Sequence, residues 1–409
     1  MGLNSTPNGE RVHIGIFGRM NSGKSSIINA ITGQSLSIVS MTPGTTTDPV
    51  YKTMEILPLG PVVIIDTPGL DDQGELGSQR VIKGYEVLGK TDIAVLVVDA
   101  AIGKSAEDEA IIQKIRKKGI PYLIVYNKAD LTEQSEILQK KDVKEKSIWV
   151  SSKTMENIFE LKEILASMIP DLSNGKRIIA DLLNPQDVVI LVVPIDSAAP
   201  KGRLILPQQQ VIRDILEAGA ISVVVQTEGL KSAIESLKQK PRLVVTDSQA
   251  FGEVKKIVPE DIELTSFSIL MARYKGNLFE AVKGAKILDS IEDGAKILIS
   301  EGCTHHRQCD DIGTVKLPKW IETFTGKKMI FEHTSGTEYK RDLSEYSLVV
   351  HCGGCMLNEK EMQSRIGMTL GQHIPITNYG ILIAHMNGIL ERSIEPFSEF
   401  YHELSMKES

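Results

Sequence analysis

The chain has 409 residues, 42% hydrophobic and 24% charged, with a formal net charge of −7; that length is too great for one hydrophobic core and predicts two or three domains. The acidic balance and the lack of a Lys/Arg stripe argue against nucleic acid or an anionic membrane as partner, because phosphate binding needs concentrated positive charge. No signal peptide or membrane-length apolar run is evident, so a cytoplasmic location is expected.

From residue 11 to about 169, strands and helices alternate. The runs "RVHIGIFG", "VVIIDTPG", "IAVLVVDA" and "PYLIVYNKAD" predict strands. Between and after them, "SGKSSIINAITG", "AEDEAIIQKIRKKG" and "ENIFELKEILASMI" predict helices. Apolar strands separated by amphipathic helices imply a mostly parallel sheet covered on both faces. The polar, turn-rich "PDLSNGKR" at 170–177 marks a boundary. A second alternation, from about 185 to 263, reads "DVVILVVPID", "PQQQVIRDILEAG", "AISVVVQTE", "GLKSAIESLKQ" and "RLVVTDS". It carries no glycine loop and no titratable cluster, so an assembly or spacer role is expected. A third unit begins near 265, with a helix at "NLFEAVKGAKILDSI" and strands at "AKILISEGC", "KKMIFEH", "SLVVHCGGC" and "IPITNYG". The expected fold is α/β in three domains, at 1–172, 173–264 and 265–409.

"GRMNSGKS", Gly18 to Ser25, fits the G-x-x-x-x-G-K-[ST] phosphate loop between a strand and a helix. Gly18 and Gly23 let the backbone turn its N–H groups toward phosphate oxygens, with Asn21, Ser22 and Ser26 in the same cradle. Lys24 can reach the β and γ phosphates and Ser25 can hold Mg²⁺. "PGTTTDP" supplies threonines in a switch-like loop. "DTPG" puts Asp66 toward the Mg²⁺ shell and the Gly69 N–H toward the γ-phosphate. In "NKAD", Asn127, Lys128 and Asp130 end another strand. Asp130 can accept from guanine N1–H and its 2-amino group, which adenine lacks. Ser151, Ser152 and Lys153 of "VSSK" complete the base pocket. In this order the motifs indicate a GTPase.

The N-terminal region resembles the TrmE–Era–Der group of translation-factor-related GTPases. Leu70 follows "DTPG" where Ras-like enzymes carry a water-orienting Gln. The resemblance implies hydrolysis without that side chain. It also implies that Asn21 helps hold a K⁺ near the phosphates, supplying charge that an arginine finger would otherwise bring. By the group's pattern Thr46 is the switch magnesium ligand, with Thr45 and Thr47 as alternatives. Lys24, Asn21, Thr46 and Gly69 are the catalytic candidates.

All four cysteines lie after residue 300: Cys303, Cys309, Cys352 and Cys355. Cys303 follows the strand "AKILIS" and Cys352 the strand "SLVV". If these strands are parallel neighbours, both thiols land on one sheet rim. Cys355 joins them through the Gly353–Gly354 turn, and "IPITN" ends near the same rim at Tyr379. Three chemistries fit: a Cys352–Cys355 redox disulfide, a zinc site completed by His305 or His351, or an iron–sulfur cluster. Residue chemistry alone supports zinc and cluster equally.

Cys303-Thr304-His305 followed by His351-Cys352-Gly353-Gly354-Cys355, joined to a GTPase domain, resembles the HydF family of [FeFe]-hydrogenase maturation GTPases across essentially the whole chain. The resemblance implies a [4Fe–4S] cluster on Cys303, Cys352 and Cys355, with His305 and His351 as ligand or support. It implies a scaffold or carrier for the diiron subcluster precursor, received from radical-SAM maturases and passed to apo-hydrogenase. It also makes 173–264 a dimerisation domain building a homodimer and 265–409 the cluster-binding domain. A GTPase assembly factor with a structural Cys3His zinc module is the alternative; iron and sulfide content separates the two. Cys309 falls outside the motif and is expected to be a buried thiol, with a fallback ligand as the alternative. His306 has a weaker claim than His305, and His333, His373 and His385 are assigned no role.

Overall fold

The computed structural model describes residues 6–33, 49–69, 83–132, 145–168, 176–195, 204–302, 311–336 and 339–397. The chain divides into two compact units, Met1–Asn174 and Gly175–Ser409.

In the first unit six strands form one sheet: β1 (Val12–Phe17), β2 (Val50–Ile56), β3 (Gly60–Asp66), β4 (Ile93–Asp99), β5 (Tyr122–Asn127) and β6 (Ser147–Trp149). Their order is β2-β3-β1-β4-β5-β6, and only β2 runs antiparallel to its neighbour. Alternate residues feed opposite faces. Ile14, Ile16, Val95 and Val97 pack against α1 (Lys24–Thr32) and α3 (Ile158–Ser167). Phe17, Leu96 and Val98 pack against Ile111, Ile112 and Ile115 of α2 (Ala106–Lys117). Helix α2 opens with a capping box between Ser105 and Asp108, carries acids in its first turn and bases in its last, and so matches the helix dipole at both ends.

The second unit holds two four-stranded, all-parallel sheets. One comprises β7 (Val188–Val192), β8 (Ile221–Val225), β9 (Leu243–Thr246) and β10 (Glu263–Ser266), in the order β10-β9-β7-β8. The other comprises β11 (Lys296–Ser300), β12 (Ile330–Thr334), β13 (Leu348–His351) and β14 (Ile376–Asn378), in the order β12-β11-β13-β14. A continuous apolar core joins them, from Val189 and Leu191 through Ile269, Val282, Ile297 and Ile299 to Leu382. Helix α4 (Leu206–Glu217) and helices α7 (Phe267–Lys275), α8 (Leu278–Lys286) and α11 (Tyr379–Met386) contribute to it. Helix α10 (Glu359–Leu370) covers the other face of the second sheet, where Met362 and Ile366 meet Leu298, Val349 and Leu357. No helix among the described residues is long and apolar enough to cross a membrane.

Asp214 of α4 fixes the start of this unit. One carboxylate oxygen, Oδ2, accepts from the N–H groups of Ile178, Ile179 and Ala180 at 3.0, 2.8 and 2.8 Å. Edge strand β8 exposes Ile221 and Val224 (43 and 46% exposed).

Candidate functional site

Strand β1 ends at Phe17 and the chain turns through Gly18–Gly23 into α1. Gly18 (φ 139°) and Gly23 (φ 94°) hold backbone conformations that side chains disfavour. Space forbids a side chain too: a Cβ on Gly18 would lie 2.2 Å from the Val97 carbonyl oxygen, and one on Gly23 would lie 2.1 Å from Asn127 Nδ2. Asn21 is left-handed as well, at φ 61°. Lys24 Nζ donates to the carbonyls of Gly18 and Arg19, each at 2.8 Å. Ser25 Oγ donates to Asp66 Oδ2 at 3.3 Å, linking α1 to the end of β3. Burial raises the Asp66 pKa, opposed by Lys24, the Ser25 hydroxyl and Lys52. A hydroxyl beside a carboxylate is the oxygen donor set a hard Mg²⁺ ion takes.

On the base side, buried Asn127 ties two loops together. Its Nδ2 donates to the Ser22 carbonyl at 3.2 Å and its Oδ1 accepts from the Ser152 N–H at 3.1 Å. Asp130 Oδ1 accepts from Ser151 Oγ at 2.7 Å. Lys128 (φ 66°) donates to Asp99 Oδ2 at 2.6 Å. Thus Gly18, Ser22, Gly23, Lys24, Ser25, Asp66, Asn127, Asp130, Ser151 and Ser152 are joined by contacts at the carboxyl ends of β1, β3 and β5. Ser26 lies in the first turn of α1, Gly69 follows β3, and Lys153 is exposed. Thr45, Thr46, Thr47 and Leu70 lie outside the described residues. Asp108 was not foreseen. It is 1% exposed, accepts from Ser105, and stands 3.7 Å from Arg19 Nε of the phosphate loop.

At the cysteine end, β11 and β13 are parallel neighbours with Ser300 opposite His351. The Cys352 N–H donates to the Ser300 carbonyl at 2.9 Å. The Gly302 N–H donates to Cys352 Sγ at 3.1 Å, and the Gly354 N–H to the same sulfur at 3.4 Å. Gly354 has φ 62°, the conformation that curls the CGGC turn. Cys352 and Cys355 are both of intermediate exposure. Burial pushes the Cys352 thiol up to about 11, with the two N–H groups opposing. Two N–H donors on one sulfur suit an anionic, metal-bound thiolate. Among the described residues no group of three or more His, Cys, Asp and Glu side chains is arranged around a metal position. Cys303, His305, His306 and Cys309 lie outside the described residues.

Around the thiols, buried Glu301 accepts from the Tyr379 hydroxyl at 3.2 Å. Burial and the Glu301 carboxylate both push that hydroxyl's pKa up. His351 is fully buried, with Nδ1 2.7 Å from the Cys352 carbonyl oxygen and Nε2 3.2 Å from Arg365 Nη1. Burial first, and then the Arg365 charge, lower its pKa to about 4. Arg365, 3% exposed, also donates to the Gly336 carbonyl at 2.9 Å and Glu361 Oε1 at 2.8 Å, and lies over the Tyr339 ring. Arg365 and Glu301 escape sequence reasoning, since no motif includes them. His333 and His385 contact Gly313 and Asp289, and His373 sits at a turn.

The fold and the phosphate-loop geometry define the first unit as a P-loop GTPase domain. The sequence agrees: residues 13–128 match the 50S ribosome-binding GTPase family. Residues 178–276 match the hydrogen maturase F dimerization domain and residues 279–396 the hydrogen maturase F tetramerization domain. The chain therefore belongs to the hydrogen maturase F family. Over 127 residues it is 36% identical to GTPase Der of Kosmotoga olearia, spanning 30% of this chain and 28% of that protein. It is 31% identical over 161 residues to the tRNA modification GTPase MnmE of Nitrosomonas eutropha, spanning 39% of this chain and 35% of that one. The chain thus spans about a third of these curated relatives. The crystal structure of Aquifex aeolicus Era, 21% identical, aligns with 52% of this chain and 93% of its own, at a TM-score of 0.35.

Proposed function

We propose that the chain is a GTP-hydrolysing scaffold for [FeFe]-hydrogenase maturation. It holds a [4Fe–4S] cluster on Cys303, Cys352 and Cys355 and delivers the diiron precursor to the apo-hydrogenase, having received it from radical-SAM maturases. The observation that carries the cluster assignment is the 3.1 Å contact from the Gly302 N–H to Cys352 Sγ, because Gly302 immediately precedes Cys303. The parallel register of β11 and β13 supports it. A bound cluster supplies one-electron redox chemistry; the chain supplies soft ligands and the N–H groups that stabilise their charge.

GTP is read by Asp130, which Ser151 holds at 2.7 Å, and its phosphates are cradled by Gly18–Ser26. Mg²⁺ is held by Ser25, Asp66 and Thr46. The left-handed Asn21 supports the K⁺ role, and Leu70 leaves the charge compensation to that ion. Domains at 1–172, 173–264 and 265–409 divide the work into nucleotide switching, dimerisation and cluster binding. The exposed apolar edge of β8 is suited to pairing in a homodimer.

One anaerobic preparation tests the reading. Wild-type protein should contain iron and sulfide and activate apo-hydrogenase. Cys352→Ser should lose both while hydrolysing GTP, and Lys24→Ala should keep the iron without hydrolysis. Hydrolysis should run faster in KCl than in NaCl. Colourless protein with stoichiometric zinc would reject the cluster, and equal rates in the two salts would reject K⁺.

A further inference from the structure

We infer that Arg365 is a positioning residue of the thiolate site, acting through His351, and that His351 is not an iron ligand. The inference rests on the assignment of Cys352 to the cluster. A backbone carbonyl can only accept, so the 2.7 Å contact to the Cys352 oxygen requires the proton on Nδ1 of His351. A guanidinium can only donate, so the 3.2 Å contact from Arg365 Nη1 takes the lone pair on Nε2. Both ring nitrogens are thereby committed, and no lone pair is left for a metal.

Strand geometry points the same way. Successive residues of a strand face opposite sides of the sheet. Leu348 and Val350 enter the large core, whereas Val349 packs under α10. His351 follows the second set, toward Arg365 on α10. Its neighbour Cys352 turns its sulfur to the Gly302 N–H instead. Arg365 is in turn fixed by the Glu361 carboxylate, the Gly336 carbonyl and the Tyr339 ring. The chain Glu361–Arg365–His351–Cys352 carbonyl anchors the first residue of the CGGC turn. A carbonyl so anchored keeps Cys352 Sγ on the Gly302 and Gly354 N–H groups, whose hydrogen bonds favour the thiolate and the reduced, more negative cluster.

The test uses full-length protein purified anaerobically, in wild-type, His351→Gln, Arg365→Lys and Arg365→Met forms. Iron and sulfide are assayed first; a wild-type protein without iron rejects the cluster assignment itself. With iron present, pulsed EPR of the reduced protein reads nitrogen coupling. The expected result is that His351→Gln leaves the coupling pattern of the wild type unchanged. Loss of a directly bound nitrogen in that variant overturns the inference. An EPR-monitored titration should show Arg365→Met at a lower midpoint potential by about 59 mV or more, tenfold in the reduced-to-oxidised ratio for one electron. Arg365→Lys, which restores a donor to His351 Nε2, should recover most of the shift. A wild-type potential in Arg365→Met overturns the positioning role. If Arg365→Met does not fold, His351→Leu, which breaks the same chain one link on, decides: a lowered potential supports the positioning role and a wild-type potential overturns it.

Discussion

Gly302 stands between β11 and the first cysteine of the motif, and adding one methyl group there tests the site's geometry directly. A Cβ at this position would lie 2.8, 2.9 and 3.2 Å from Cγ, Cδ1 and Cδ2 of Leu357. Leu357 has little room to yield. It is 4% exposed, packs with Val349, Met362 and Ile366, and its N–H donates to the Gly354 carbonyl at 3.0 Å. The backbone at Gly302 must therefore back away, lengthening the 3.1 Å contact to Cys352 Sγ. Overpacking of this kind costs about 1–3 kcal/mol. For a unit of this size, the middle of that range lowers the melting temperature by about 4–8 °C. A loss of about 1.4 kcal/mol at the thiolate would weaken iron binding tenfold.

The assay is differential scanning fluorimetry on Gly302→Ala, Leu357→Ala and the double variant, with the rate of iron loss to a chelator measured in parallel. Leu357→Ala alone should cost about 2–5 kcal/mol by opening a cavity. In the Gly302→Ala background it should cost less, because the new methyl fills part of that space; coupling of about 0.5–3 kcal/mol is expected between touching residues. A Gly302→Ala protein that melts and retains iron like the wild type, with strictly additive effects in the double variant, refutes the reasoning.

Asp214→Ala removes the acceptor of three N–H groups, those of Ile178 and Ile179 buried and that of Ala180 half-buried; a buried group costs about 1–3 kcal/mol when orphaned, so urea denaturation should show a loss of about 3 kcal/mol or more in the second unit, and Asp214→Asn a smaller one. Gly23→Ala forces a methyl group into the 2.1 Å gap to Asn127 Nδ2 at a left-handed position, and fluorescent-nucleotide titration should find GDP affinity down by at least tenfold. Glu332, on β12, is held down to about 2 by Lys340, the Tyr346 hydroxyl and Lys296, from an ordinary value of 4.5. A depressed carboxylate stabilises the fold above its unfolded value and loses that contribution as pH falls through the folded one. The stability gap between wild type and Glu332→Gln should therefore be widest at neutral pH and close between about pH 4.5 and 2.

The buried strands were legible because they are continuous apolar runs: "HIGIF", "IAVLVV", "VVILVV" and "SLVVH" could not be exposed without cost. The phosphate loop was legible because its chemistry is local, with every essential residue inside eight positions. Strand β2 was not, since Lys52, Thr53 and Glu55 dilute its pattern and it stands at the sheet edge with most of its residues exposed. Strand β6 has three residues, too few to show a period. Helix α10 was missed because "EKEMQSRIGMTL" buries a charged pair, Glu361 with Arg365, where an apolar stripe would be sought. The same pair explains why half of the thiol environment was hidden. Arg365 meets His351 only because α10 lies across β13, and nothing in the local sequence of either residue specifies that meeting.

Both sites obey one geometric rule with different chemistry at the rim. In each, parallel strands end together and a glycine lets the backbone turn its N–H groups outward. At the end of β1 the loop is built to offer such groups to phosphate oxygens. At the ends of β11 and β13 they meet sulfur, at Gly302 and Gly354. The sheet of β7 to β10 has the same parallel architecture, and Asp247 and Ser266 at its strand ends cap the helical turns that follow, as Asn378 does at the end of β14. Their hydrogen-bonding groups are spent on the fold itself.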